Sequence, residues 1–166
     1  MKKITLLIVA FAFSLSVSAQ TIVDTAVSNK DFSTLVTALK AADLVGALSS
    51  EGPFTVFAPN NAAFAKIDGE VLGSLLKPEN VKALSNILTY HVVSGKLLAS
   101  DVAKALQSGY GKAELTALNG QKFTATSKDG KIYLKDSNGT MSQIIATDVV
   151  GTNGVIHVID TVIMPE

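Results

Sequence analysis

Cysteine does not occur anywhere in this chain of 166 residues, so disulfide staples, thiolate metal sites, thiol catalysis and redox switching are excluded together. A domain made from it must be held by its core alone. Aromatic residues are scarce, at 6%, and tryptophan is absent. With 48% hydrophobic residues and no low-complexity tract, the composition is nevertheless that of an ordinary globular chain. Its length leaves room for one domain with a real core and hardly for two. Charge is balanced, 14 basic residues against 14 acidic. A nucleic-acid role needs a basic surface, and none is expected from these numbers. No Gly-rich phosphate loop follows a strand either, since Gly109-Tyr110-Gly111 lies in a polar connection, and no cofactor is expected.

What is present begins with a leader. Met1-Lys2-Lys3 is a short basic region, Ile4 to Phe13 is an apolar run, and Val17-Ser18-Ala19 offers small residues suited to cleavage before Gln20. The run is well short of the ~20 residues that span a bilayer, so residues 1–19 read as a secretory signal peptide and 20–166 as a single domain. No second hydrophobic segment follows and no cysteine near the cleavage site could carry a lipid. The expectation is an exported, soluble protein, secreted or periplasmic. Loss of Lys2 and Lys3 leaves 12 basic against 14 acidic residues, a net charge of −2.

The strongest signal lies at the other end. Gly154-Val155-Ile156-His157-Val158-Ile159-Asp160-Thr161-Val162-Ile163-Met164 is apolar on both faces at a strand's period of two, which predicts a β-strand covered on both sides, opened by an Asn153-Gly154 turn and stopped by Pro165. Ahead of it, Ile22 to Ser28 is a helical or extended lead-in. Asp31 is placed as an N-cap for one or two amphipathic helices carrying Phe32, Leu35, Leu39, Leu44 and Leu48. Phe54 to Phe57 reads as a short strand meeting Pro59, after which Asn60 or Asn61 can cap a helix. Short helices are expected over 68–76, from Pro78 to His91, and over 102–106 with Ser100-Asp101 as the cap. From Glu114 the pattern turns to strands, over 115–118, 122–126, 132–134 and 142–150, separated by Asn119-Gly120, Asp129-Gly130 and Asn138-Gly139 hairpin turns. Helices first and a meander last predict an α+β fold.

Three segments carry a family resemblance: Thr55-Val56-Phe57-Ala58-Pro59-Asn60-Asn61-Ala62-Ala63-Phe64, Tyr90-His91-Val92-Val93-Ser94-Gly95, and Gly154-Val155-Ile156-His157-Val158-Ile159-Asp160. In order and separation they resemble the first conserved box, the tyrosine-histidine motif and the second conserved box of fasciclin-like domains, over roughly residues 22 to 165. The resemblance implies a wedge of about seven strands in two β-sheets flanked by short helices. On it, Thr55, Phe57, Pro59, Asn61, Phe64, Gly154, His157 and Asp160 are motif positions with structural roles. It also implies a cell-adhesion or extracellular-matrix module whose partner is a cell-surface or matrix protein or a polysaccharide; weak self-association is expected on separate grounds, because a lone domain holds one partner at a time. Tyr90 and His91, credited with adhesion in relatives, and Asp148-Val149, at the place where animal members carry an integrin contact, are the implied binding residues. Here Asn60 and Asn61 stand where many members have Ser or Thr and then Asp, so no charge is brought to His91, and the leader is of bacterial style.

On the residues alone, His91 and His157 are the only histidines. Neither has a visible third ligand for zinc, and both lie in apolar runs, so each is expected to be a neutral core residue bonded to backbone or to a hydroxyl such as that of Tyr90. A hydrolase using Ser94 or Ser100 with His91 lacks a neighbouring carboxylate, and Ser94 does not sit in a nucleophile elbow. Asp160 is expected to meet a turn or a strand-end N–H, and Asn138-Gly139-Thr140 to form a hairpin turn. A glycan- or small-ligand-binding protein with an apolar groove between helices and strands is the alternative function. Tyr90 and His91 are expected to turn inward and bond to the first box around Asn61. Tyr90→Phe, which deletes only a hydroxyl, should therefore lower unfolding free energy in urea by about 1 kcal/mol while leaving partner affinity nearly intact.

Overall fold

The computed structural model describes residues 19–166; the expected leader lies outside them but for Ala19. The chain opens with helices α1 (Ile22–Ser28), α2 (Ser33–Ala41) and α3 (Val45–Ser49), and enters strand β1 (Phe54–Pro59). It returns through α4 (Asn61–Phe64), α5 (Gly69–Leu75) and α6 (Val81–Tyr90) to β2 (Val92–Ser94). After α7 (Ala99–Ser108) come β3 (Lys112–Thr116), β4 (Lys122–Lys128), β5 (Lys131–Lys135), β6 (Met141–Gly151) and β7 (Gly154–Ile159). The fold is α+β with seven strands in the order β2-β1-β7-β6-β5-β4-β3.

β1 and β7, distant in sequence, lie side by side and parallel, with Phe54 opposite Gly154 and Pro59 opposite Ile159. β2 joins β1 antiparallel and β6 joins β7 antiparallel. The long β6 belongs to two half-sheets: Met141–Gln143 pairs with β5, and the remainder pairs with β7 through two register shifts between Ile144 and Val149. These bulges bend the strand. A bridge from Val93 to Ala117 brings β2 back against the end of the meander.

Because side chains alternate across a strand, the β1–β7 pair serves two cores at once. Val56, Ala58 and Ile156 face helices α1 to α6, meeting Ile22, Leu35, Leu39 and Leu84. Phe57 and Ile159 face the opposite way, toward α7 and the second half-sheet, among Tyr90, Val102, Leu106, Phe123 and Leu134. Phe57 packs edge-on against Phe123, which in turn meets Tyr90 edge-on, both at 5.5 Å between ring centroids. Such edge-to-face contacts set the ring positions more sharply than area burial alone.

Several local expectations are corrected. The lead-in over Ile22–Ser28 is helical, started by a capping box between Thr21 and Asp24. Asn29, not Asp31, does the next capping: its Oδ1 accepts from the Asp31 N–H at 3.0 Å, and Asp31 lies inside a 3₁₀ turn over Lys30–Phe32. The helix expected over 102–106 begins at Ala99 instead, with Asp101 reaching back to the Leu98 N–H at 3.0 Å. Among the hairpin dipeptides only Asp129-Gly130 uses positive φ at both residues, 53° and 73°; the other two need it only at glycine. The final strand stops at Ile159 rather than Met164: the Asp160 N–H still donates to the Gln143 carbonyl at 3.1 Å, but among the described residues no further backbone ladder bond follows it. Side chains satisfy the tail instead: Ser142 Oγ donates to the Thr161 carbonyl at 2.6 Å, Asp136 Oδ2 accepts from Met164 N–H at 2.9 Å, and Gln121 Oε1 accepts from Glu166 N–H at 3.1 Å. Finally, the balanced net charge conceals a basic surface after all, since the outward face of β3 to β5 carries Lys112, Lys122, Lys128, Lys131 and Lys135.

Thr55, fully buried in β1, fixes the loop between β2 and α7: its hydroxyl donates to the Gly95 carbonyl at 2.7 Å and accepts from the Leu97 N–H at 2.8 Å. Thr55→Val keeps the shape and deletes both bonds. It should lower the unfolding free energy by roughly 2 kcal/mol in urea denaturation, because two partly buried backbone groups are left unpaired.

Candidate functional site

Both histidines are interior. His157 is 1% exposed and stacks on the Phe57 ring at 5.5 Å with the planes inclined by 28°. Its Nε2–H donates to the Leu97 carbonyl at 2.7 Å while its Nδ1 accepts from the Asp148 N–H at 3.3 Å. Partners on both nitrogens assign one tautomer. His91, 2% exposed at the end of α6, is the mirror case: Nδ1–H donates to the Ile87 carbonyl at 2.8 Å and Nε2 accepts from the Ile163 N–H at 3.2 Å. Burial holds its imidazole down to about 4, against partial compensation from the Ile87 carbonyl and the Asp136 charge. Each ring thus reaches one segment outside its own ladder, His157 the loop at Leu97 and His91 the tail at Ile163, while the His157 bond to Asp148 spans the bulge within the β6–β7 pair.

The expected contact of Tyr90 and His91 with Asn61 is not made. Tyr90, fully buried, donates its hydroxyl to the Lys122 carbonyl at 3.0 Å, across to β4. Asn61 instead ties α4 to the start of α2: Oδ1 accepts from the Thr34 N–H at 3.1 Å and from the Ser33 hydroxyl, and Nδ2 donates to the Lys30 carbonyl at 2.9 Å. That last bond needs an amide, since an ionised aspartate has no proton to give. The departure from the family pattern thus has its own use here. Asn60 caps α4 through its Oδ1 and the Ala63 N–H. Asp160 accepts from the Gln143 N–H at 2.8 Å and lies 3.5 Å from the Lys66 ammonium.

Asp148 and Val149 sit at the bulge of β6. Asp148 has φ of 58°, and its exposed carboxylate accepts the Ala99 N–H at 2.8 Å, holding the first turn of α7. With β5 engaged only as far as Gln143, the outer edge of β6 from Ile144 onward has no strand partner among the described residues. Ile145 and Val150 project from this stretch 48% and 55% exposed. An open groove of about 480 Å³ lies beside it, lined by Ser28, Asn29, Phe32, Asn60, Ile145 and Val149. The apolar residues and the free edge were missed from sequence, where the two bulges are invisible in the alternation.

Other chemistry finds no support in position. Ser94 and Ser100 are exposed, whereas every ring nitrogen of the two histidines bonds to backbone. The apolar seam between helices and sheet, lined by Ile22, Leu35, Leu39, Val56 and Ile156, encloses about 20 Å³, room for a water and not for an organic ligand. Among the described residues, no three His, Asp or Glu side chains gather as a metal site, and no helix is long and apolar enough to cross a membrane.

These features define an α+β domain whose polar interior groups join its elements and whose unpartnered features lie on the surface. The profile described as "Fasciclin domain" matches residues 30–165, and the chain belongs to that family. It is 53% identical over 148 residues to Protein sll1483 of Synechocystis sp., covering 89% of this chain and 75% of that one. Against human Periostin it is 33% identical over 141 residues, 82% of this chain but 15% of the relative, and against the Immunogenic protein MPB70 of Mycobacterium bovis 31% over 143 residues, 83% and 65%. A solved FAS1 domain pair from the insect cell adhesion molecule Fasciclin I shares the fold, with a TM-score of 0.77 at 20% identity over 87% of this chain and 51% of that chain.

The buried His91 ring gives a pH dependence of definite sign. Above pH 6.5 it is neutral folded or unfolded, and its contribution is complete; as pH falls from 6.5 toward 4 only the unfolded chain takes the proton, so stability is lost. The loss should be on the order of 3 kcal/mol across that window. Urea denaturation from pH 7.5 to pH 4 should show it, and His91→Gln, with no titrating ring, should lack that part of the slope.

Proposed function

We propose that this protein is an exported, non-catalytic adhesion or matrix-interaction module, secreted or periplasmic, working through surface contacts. The observation that carries the reading is the unpaired outer edge of β6 with Ile145 and Val150 exposed on it, around Asp148-Val149. An unpaired edge bearing apolar side chains is a template for another extended chain. The partner is a cell-surface or matrix protein, with weak self-association along the same edge as an accompanying property. Tyr90 and His91 contribute indirectly, by fixing α6 against β4 and the tail. The glycan-binding alternative is supported by no enclosed apolar pocket, and its surface form is taken up below.

Incubating the protein with intact cells and with insoluble cell-envelope material should show saturable retention without release of soluble products. The double variant Ile145→Asp, Val150→Asp should keep its melting midpoint within a few degrees and lose at least tenfold in retention. Release of cleaved material, or equal retention of the double variant, contradicts the reading.

A further inference from the structure

The outward face of the second half-sheet differs from the rest of the molecule. In register, β3 presents Lys112 and Glu114, β4 presents Lys122 and Lys128, and β5 presents Lys131 and Lys135, all exposed. Glu114 is the one acid on the paired strands and is engaged by Lys122 at 2.6 Å, and Asp129 stands exposed at the hairpin tip between Lys128 and Lys131. The paired strands thus give the face five lysines against one acid, while the remaining described residues, Asp129 among them, hold seven lysines against thirteen acids. Lys128 and Lys131 stand directly opposite each other across the ladder, a like-charge pairing that by itself destabilises a sheet, with the turn residue Asp129 as the nearest acid in sequence. Between the lysines of β3 and β5 lies an open recess of about 460 Å³ floored by Thr124 and Thr126. The covered Thr126 hydroxyl has no hydrogen-bond partner among the described residues. Tyr133, half-buried, faces outward beside Thr126.

We propose that this face docks a linear anionic polysaccharide, one carrying carboxylate or sulfate groups along its length. The proposal rests on the contact-module reading and gives it a second surface and a partner class. From Lys131 to Lys135 the strand covers about 14 Å, so the ammonium groups form an array rather than a point, which suits a chain of repeated charges. Hydroxyls and a phenol ring between the cations match sugar hydroxyls and the apolar face of a pyranose. Other anionic partners fit less well. Every cationic residue in the chain is lysine, so the planar bidentate fork that favours phosphate is missing, and one aromatic residue is too few for a base-stacking platform. Met141 is the one large apolar side chain on the face, which leaves nothing to seat in a lipid layer.

The test is binding of the intact protein to immobilised dextran sulfate and polygalacturonate, with uncharged dextran, double-stranded DNA and vesicles containing anionic phospholipid in parallel. Saturable binding to the two polyanionic polysaccharides is expected, absent on dextran, falling steeply between 50 and 500 mM salt, and tighter than to DNA or vesicles. The triple variant Lys112→Glu, Lys131→Glu, Lys135→Glu should lose at least tenfold in affinity. The Lys→Gln triple should lose less, with an unchanged melting midpoint, and Lys40→Glu, Lys77→Glu, Lys82→Glu on the helical side should stay within twofold. Equal binding by the Lys112 triple, tighter binding to DNA or vesicles, or no binding to either polysaccharide overturns the proposal. Retention on cells through the β6 edge is measured separately with the Ile145, Val150 variant, so failure here leaves that reading standing.

Discussion

Everything in this molecule depends on two distant strands lying against each other in parallel. At the start of that pairing the strands approach so closely that a Cβ on Gly154 would come within 2.1 Å of the Phe54 carbonyl oxygen, so no other residue fits without displacing backbone. The parallel ladder then places Val56 beside Ile156 and Phe57 beside His157, and each strand supplies both cores. The helical layer on one side and α7 with the second half-sheet on the other meet mainly through these strands, and directly only where α6 reaches β4 through Tyr90 and the β3–β4 turn through Asn86. A shift of one residue in the pairing would exchange every side chain between the cores.

Polar side chains, all but Asp148 of them buried, complete what the ladders leave open. Thr55 and His157 hold the β2–α7 loop from below, Asp148 holds the start of α7 from the side, and His91 and Asp136 hold the tail. The residues that mark the family are therefore largely those that settle unpaired backbone groups. Their chemistry looks catalytic in a sequence because imidazole, hydroxyl and carboxylate serve both purposes, and only the partners decide.

The parts of the fold that rest on local periodicity were legible. The two-faced apolar run from Val155 to Ile159, the helices around Leu35 and Leu84, and the alternation of Lys122-Phe123-Thr124-Ala125-Thr126 all state their own structure. What rests on long-range partners was not. Thr161 to Met164 continues the same alternation as β7, yet it forms no strand because no neighbour offers a ladder. Asn61 reads as a helix cap, but its amide reaches Lys30 and Thr34, thirty residues back. The proposed contact surfaces divide in the same way: Asp148-Val149 enters through the resemblance alone, while the free edge beside it follows from bulges that leave no compositional trace. The lysines of the outward face were visible one by one, but a summed charge near zero cannot show that they share a side.

The manner in which the tail is held has a mechanical consequence. A strand sheared along its ladder resists with many bonds loaded together, whereas Thr161 to Glu166 is held by the buried Val162 and Ile163 and by single side-chain bonds to Ser142, His91, Asp136 and Gln121, met one after another from the end. Tension entering at Glu166 loads those contacts in succession rather than together. Tension entering through β6 or the outward face of β3 to β5 is shared across continuous ladders. The domain is thus anisotropic under load, compliant toward its C-terminal end and stiff across its sheet, the direction in which a surface contact would pull.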